Sequence, residues 1–172
     1  MNKHYVLTLK AEERPGLLHL VTGILNRKLI PILSLTAAPT DIHNIILISM
    51  EISASEKALE PLVAKLENII EVFAVEATPY SAAVCQRSAY FLLSREFMSS
   101  TKSSVVNRWE MQLVNLYENK VLFAKSGSEA VICRVYNELE GPYLLGFSQT
   151  GLIADTKLIG EDQSSVINWL AA

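Results

Sequence analysis

Cysteine is scarce in this chain, with only Cys85 and Cys133 among 172 residues. Their spacing matches neither a metal site nor a redox pair, and lone thiols point to the cytoplasm, where they stay reduced. Glycine and proline are also few, at 7 and 6 residues, which excludes a collagenous or low-complexity chain. Charge is thin: 19% of residues carry one and the formal net charge is −3. No basic cluster supplies the footprint of a nucleic-acid binder. The longest apolar runs, such as 45–48, fall far short of the ~20 residues that cross a bilayer. The opening MNKHYVLTLK lacks the apolar core of a signal peptide and enters a strand directly. The three histidines have no catalytic spacing, and His19 reads as a boundary residue on a helix, with His4 and His43 solvated. No carboxylate pair, serine–histidine arrangement or phosphate loop appears. Half of the residues are hydrophobic, an ordinary globular balance with room for one or two domains.

Tyr5, Leu7 and Leu9 alternate with polar neighbours, so 4–10 is expected to be a strand. Pro15-Gly16 then opens a helix in which Leu17, Leu18, Val21, Ile24 and Leu25 recur at helical spacing. Arg27-Lys28 suits the negative end of that helix, Pro31 stops it, and 32–38 forms a second strand. A glycine-bearing turn at a helix N-terminus presents backbone N–H groups that attract a carboxylate. A plain β-loop-helix without ligand fits the same local pattern. A third strand over 45–52 sets Ile46, Ile48, Met50 and Ile52 on one face and Ser49 and Glu51 on the other. Ser53 and Glu56 have capping-box spacing. Leu59, Leu62, Val63, Leu66, Ile69 and Ile70 trace a second helical stripe, which Pro61 is expected to delay or bend. A fourth strand covers 72–78.

The order is βαββαβ within residues 1–78, the ferredoxin-like arrangement. Residues 79–87 read as a linker. The same order returns more faintly over 88–158: a strand at 90–93, a short helix marked by Val105, Val106 and Trp109, and a hairpin turning at Glu118-Asn119. A helix through Val131, Ile132, Val135, Tyr136 and Leu139 and a strand over 143–147 complete it. The fold class is thus α+β, two ferredoxin-like units of which the second, an α/β sandwich, is more divergent. The tail over 159–172 has the pattern of a short helix through Val166, Ile167 and Leu170. It is open to disorder or to docking on a neighbouring subunit, docking being favoured because Trp169 and Leu170 would otherwise sit in water. Each unit is small enough to benefit from a neighbour. The second strand normally lies at the sheet edge, and here it is apolar and almost uncharged, which invites pairing with another chain. A homodimer joined at this edge is expected, the alternative being that the second half covers it.

KAEERPGLL, the helix, PILSLTAAPT, the next strand and helix, and LENIIEVFAVEA together resemble the ACT domain of acetohydroxyacid synthase (acetolactate synthase) small regulatory subunits. The stretch YLLGFSQTGLIA is similar to that family's terminal strand, so the resemblance runs roughly over 3–157. It implies an N-terminal ACT domain and a regulatory subunit without an active site, taking part in branched-chain amino acid biosynthesis. The implied partner is the acetohydroxyacid synthase catalytic subunit. Thiamine diphosphate, FAD and Mg²⁺ would belong to that partner, and this chain would hold no cofactor or metal of its own. The resemblance further implies an effector, valine or a related amino acid, held between two ACT domains. Carried over, the effector-binding loop is Glu13, Gly16, Leu17 and Leu18, the facing wall is Pro31 and Ile32, and the strand-end contact is Ala37 and Ala38.

Two positions depart from the family pattern, Glu13 and Pro31, where asparagine is common. Asparagine donates to the effector carboxylate and accepts from its ammonium. Glutamate accepts from the ammonium and repels the carboxylate, and proline offers no side-chain hydrogen bond. An unpaired buried charge costs several kcal/mol, comparable with the ~8 kcal/mol that holds a micromolar complex. A stand-alone ACT-type amino-acid sensor without an enzyme partner is the alternative. An RNA-binding sheet is disfavoured, because Ile46, Ile48 and Met50 supply no aromatic stacking platform.

Overall fold

The structure, a computed structural model, describes residues 2–155. The expected tail over 159–172, with Trp169, lies outside them. The chain divides into two compact units, one running through Val84 and taking in 152–155, the other Cys85–Gly151. Each has the ferredoxin-like order, and the α+β class read from the sequence holds.

In the first unit, β1 (Lys3–Glu12), α1 (Leu17–Arg27), β2 (Ile32–Pro39), β3 (Ile45–Ala54), α2 (Glu56–Glu67) and β4 (Val72–Pro79) build a sheet ordered β2-β3-β1-β4. All three neighbour pairs are antiparallel. Alternation along the central strands sends Tyr5, Leu7, Leu9, Ile46, Ile48, Met50 and Ile52 to one face. There they meet Leu17, Val21, Ile24 and Leu25 of α1 and Leu62 and Leu66 of α2 in one core. Burying each leucine or isoleucine contributes about 1.5–3 kcal/mol, so this face fixes the register. A slip of one residue would turn every one of these side chains outward.

The local signals were obeyed unevenly. Pro15 and Gly16 precede α1 rather than entering it, Gly16 being the N-cap. Helix α1 ends at Arg27, before Pro31 acts, because Leu29 adopts a positive φ of 54°. The Ser53 capping box does not form, since Ser53 is still paired in β3 and Ser55 caps α2 without a side-chain bond. Pro61 neither delays nor divides α2. Its missing N–H removes one intrahelical bond, to Lys57 on an exposed stretch. Ile70, expected in the stripe, lies beyond the helix and is 94% exposed.

The second unit contains β5 (Cys85–Ser94), α3 (Ser104–Arg108), β6 (Gln112–Leu116), β7 (Lys120–Gly127), α4 (Glu129–Leu139) and β8 (Leu144–Gln149), with its sheet ordered β6-β7-β5-β8. A two-residue strand, β9 (Ile153–Ala154), follows. Strand β5 begins well before the expected 90–93, so only 80–84 separate it from β4. Its pairing with Gly127 through Lys120 of β7 accounts for the extra length. Two 3-10 turns, Arg95–Ser99 and Thr101–Ser103, precede the short α3. Trp109 closes that helix and packs on the core formed by Phe91, Leu93, Phe97, Phe123, Ile132 and Val135. The hairpin closes at Glu118-Asn119, with the Tyr117 N–H donating to the Lys120 carbonyl at 2.9 Å.

Candidate functional site

The glycine turn is held from both sides. The Glu12 N–H donates to the Glu71 carbonyl at 2.8 Å and the Glu13 N–H to the Asn44 carbonyl at 2.7 Å. These bonds pin the end of β1 to the entrances of β4 and β3. Gly16 then takes φ 90° and ψ −12°, and no side chain caps α1. A Cβ at Gly16 would touch nothing within 4 Å, so backbone conformation, not crowding, requires glycine here. The Leu17 N–H is taken by the Arg14 carbonyl at 3.2 Å, and the later N–H groups of the first turn, with the helix dipole, favour an anion. Glu12 is occupied by Arg14, whose Nη2 lies 3.1 Å from its Oε1. Glu13 is exposed, Leu18 is 40% exposed, and Leu17 points into the core.

Pro31 and Ile32 lie elsewhere. Ile32 pairs with Ile52, and the Pro31 carbonyl accepts from the Ser53 N–H at 3.3 Å, at the far end of β3 from Asn44. Nine residue steps separate Asn44 from Ser53, which at ~3.3 Å per residue is roughly 25–30 Å. One copy therefore does not bring the loop and the wall together. Ala37 and Ala38 are exposed and return to the loop end, Ala38 pairing with Leu47. Antiparallel pairing of two β2 strands about a two-fold would set the start of one beside the end of the other. Within one chain the loop residues and Ala37 and Ala38 thus lie at one end of the sheet, and Pro31 and Ile32 at the other.

The β2 edge is suited to such pairing. The Thr40 N–H donates to the Ile45 carbonyl at 2.9 Å. By alternation, the Leu35 and Ala37 N–H groups point away from β3. A bulge lies between Ile32 and Ser34, and Leu33 within it is 58% exposed. Strand β6 has the same place in the second sheet and a matching bulge between Leu113 and Asn115. Its edge is closed differently. The Leu116 N–H, which alternation turns outward, is taken by the Asn115 Oδ1 at 2.9 Å.

The sequence reading missed the opposite face of the first sheet. Thr8, Lys10, Ser49 and Glu51 are all buried there. Glu51 is 3% exposed; its Oε2 accepts from the Ser34 hydroxyl at 2.6 Å and its Oε1 lies 3.2 Å from His4 Nε2. The His4 contact is an ion-pair distance without the alignment of a hydrogen bond. His4 also stacks on Tyr80 at 4.2 Å between ring centroids and 3° between planes. His4, its side chain 37% exposed, is thus partly engaged rather than fully solvated. Ser49 and Glu51 interrupting an apolar central strand were the available signal. Elsewhere, a hydrogen bond and the charge of Glu56 hold the Lys3 ammonium above its usual pKa. Among the described residues no cluster of three His, Cys, Asp or Glu is placed to hold a metal, and no helix is long and apolar enough to cross a membrane.

These features define a two-unit α+β protein with a glycine-bearing turn and, among the described residues, an unpaired apolar edge in its first unit. The fold is the two-unit ferredoxin-like α+β fold. The chain is similar in structure to the acetolactate synthase small subunit from Thermotoga maritima, with a TM-score of 0.80 at 14% identity, covering 89% of this chain and 96% of that one. It also matches the ligand-free regulatory subunit of aspartate kinase from Thermus thermophilus (TM-score 0.41, 13% identity, 81% and 95% covered). A third match is the ACT domain of GTP pyrophosphokinase from Chlorobium tepidum (TM-score 0.40, 20% identity, 45% and 99% covered). The fold assignment rests on the first of these. No family model matches the chain.

Proposed function

We propose that this protein is a non-catalytic regulatory subunit that binds and activates the catalytic subunit of acetohydroxyacid synthase. The observation that carries this reading is the shared architecture of both units with an acetolactate synthase small subunit over 89% of the chain. The sequence motifs around Gly16 and over 31–40 support it. The subunit acts by binding, and thiamine diphosphate, FAD and Mg²⁺ reside in the partner. Two copies pair through β2, so that Glu13, Gly16, Leu17 and Leu18 of one face Pro31 and Ile32 of the other, with Ala37 and Ala38 at the strand end. An amino-acid effector in that pocket influences the partner only by preferring one arrangement of the dimer over another.

The pocket differs from a plain zwitterion site. Backbone N–H groups of the α1 turn receive a carboxylate, while the exposed Glu13 receives an ammonium. An effector oriented the other way meets charge repulsion. Gel filtration of the chain mixed with an acetohydroxyacid synthase catalytic subunit tests the reading. Co-elution as a stable complex is the expected result, and separate elution at micromolar concentrations refutes it.

A further inference from the structure

A buried carboxylate in an apolar sheet is costly unless its partners repay the lost hydration. The second sheet shows that the fold does not need one. After its bulge, Asn115 of β6 pairs with Leu122, whereas after the bulge in β2, Ser34 pairs with Glu51. The first sheet therefore carries a charge where its structural counterpart carries a leucine.

Two contacts of Glu51 link neighbouring strands. It sits on β3 between the edge strand and β1. One oxygen accepts from Ser34, the first residue after the β2 bulge, and the other lies beside His4 on β1. The His4 ring lies flat on Tyr80, and the His4 carbonyl accepts from the Tyr80 N–H at 2.9 Å. Tyr80 is the residue directly after β4, where the chain leaves the sheet. Four side chains thus run from the edge strand across β3 and β1 to the residue just past β4, on the face opposite the helices.

We propose that the row Ser34–Glu51–His4–Tyr80 is a positioning device that couples the entrance of β2 to the exit of β4. Its meaning for regulation rests on the proposed function above, because the entrance of β2 is the wall of the shared pocket. The coupling itself is a property of the single chain. A shift of Ser34, on pairing or on effector binding, changes how the Glu51 carboxylate is shared between Ser34 and His4. The rigid stack passes that change to Tyr80. Adjacency alone does not establish coupling, and a two-site perturbation does.

The test is a double-mutant cycle read by amide hydrogen exchange at Tyr80 in the full chain. Ser34→Ala removes one hydroxyl at the β2 end, and His4→Gln removes the ring that stacks on Tyr80. Ser34→Ala in the otherwise native chain is expected to lower Tyr80 protection roughly two- to tenfold. In the His4→Gln background the same change is expected to have no further effect. An unchanged Tyr80 amide in Ser34→Ala, or equal effects of Ser34→Ala in both backgrounds, overturns the proposal. Sedimentation of the same samples reports self-association separately. A monomeric protein with an intact cycle removes the regulatory reading and leaves the coupling, whereas a dimer with an additive cycle does the reverse.

Discussion

Ala37→Pro separates pairing at the β2 edge from the integrity of the sheet. Ala37 is exposed, and its N–H points away from β3, so proline there deletes no hydrogen bond of the β2–β3 ladder. The preceding residue, Thr36, is already extended in β2, as a residue before proline prefers. The cost to the isolated chain is the adjustment of one strand φ toward −65°, about 1 kcal/mol. In a two-fold antiparallel pair the ladder loses one donor from each copy. Two hydrogen bonds at about 1 kcal/mol each, plus the ring's intrusion between the strands, amount to about 2–3 kcal/mol. That is a rise of roughly 30- to 150-fold in the dimer dissociation constant. Sedimentation velocity over a dilution series reads it directly, with thermal unfolding as the check on the fold. Thr36→Pro is the contrasting control, because its N–H belongs to the β2–β3 ladder and its loss disrupts the edge strand itself. A dimer as tight in Ala37→Pro as in the native chain would refute pairing through β2.

Gly16→Ala places a side chain at φ 90°, which costs about 1–2 kcal/mol from backbone strain alone, since nothing obstructs the Cβ. Differential scanning calorimetry should show a lowered midpoint for the first unit, and calorimetric titration of valine, leucine and isoleucine should show weakened or absent heat. Leu66→Ala leaves a void in a fully buried position between α2 and the sheet, for an expected loss of about 2–5 kcal/mol by urea unfolding. Asn115→Val frees the outward Leu116 N–H on a strand whose residues are all exposed. Light scattering should then reveal species larger than those of the native chain, because an unplugged apolar edge recruits another strand.

Element order was legible because the apolar positions carry two clean periods. Leu7 and Leu9 alternate, as do Ile48, Met50 and Ile52, while Val21, Ile24 and Leu25 recur every three or four residues. Boundaries were less legible, since they depend on partners distant in sequence. Strand β5 extends back to Arg87 because Gly127 and its neighbours pair there, and no local signal records that. Capping failed as a guide at Ser53, where the ladder to β1 outcompeted the cap. Pro61 misled for a related reason, as one missing bond on an exposed helix is too small a loss to outweigh the burial of Leu62 and Leu66. For the candidate site, the turn at Gly16 was readable from the Pro-Gly pair. The separation of Gly16 from Pro31 within one chain came from the antiparallel register, which sets Asn44 and Ser53 at opposite ends of β3. The burial of Glu51 was hidden because alternation assigns Ser49 and Glu51 to the face away from the helices without saying whether that face is wet.

The most direct measurement of the central claim is the turnover of an acetohydroxyacid synthase catalytic subunit titrated with this chain. The account predicts a saturable rise in acetolactate formation that plateaus at a fixed ratio of the two chains. A rate that stays at the catalytic subunit's own level across the whole titration would contradict it.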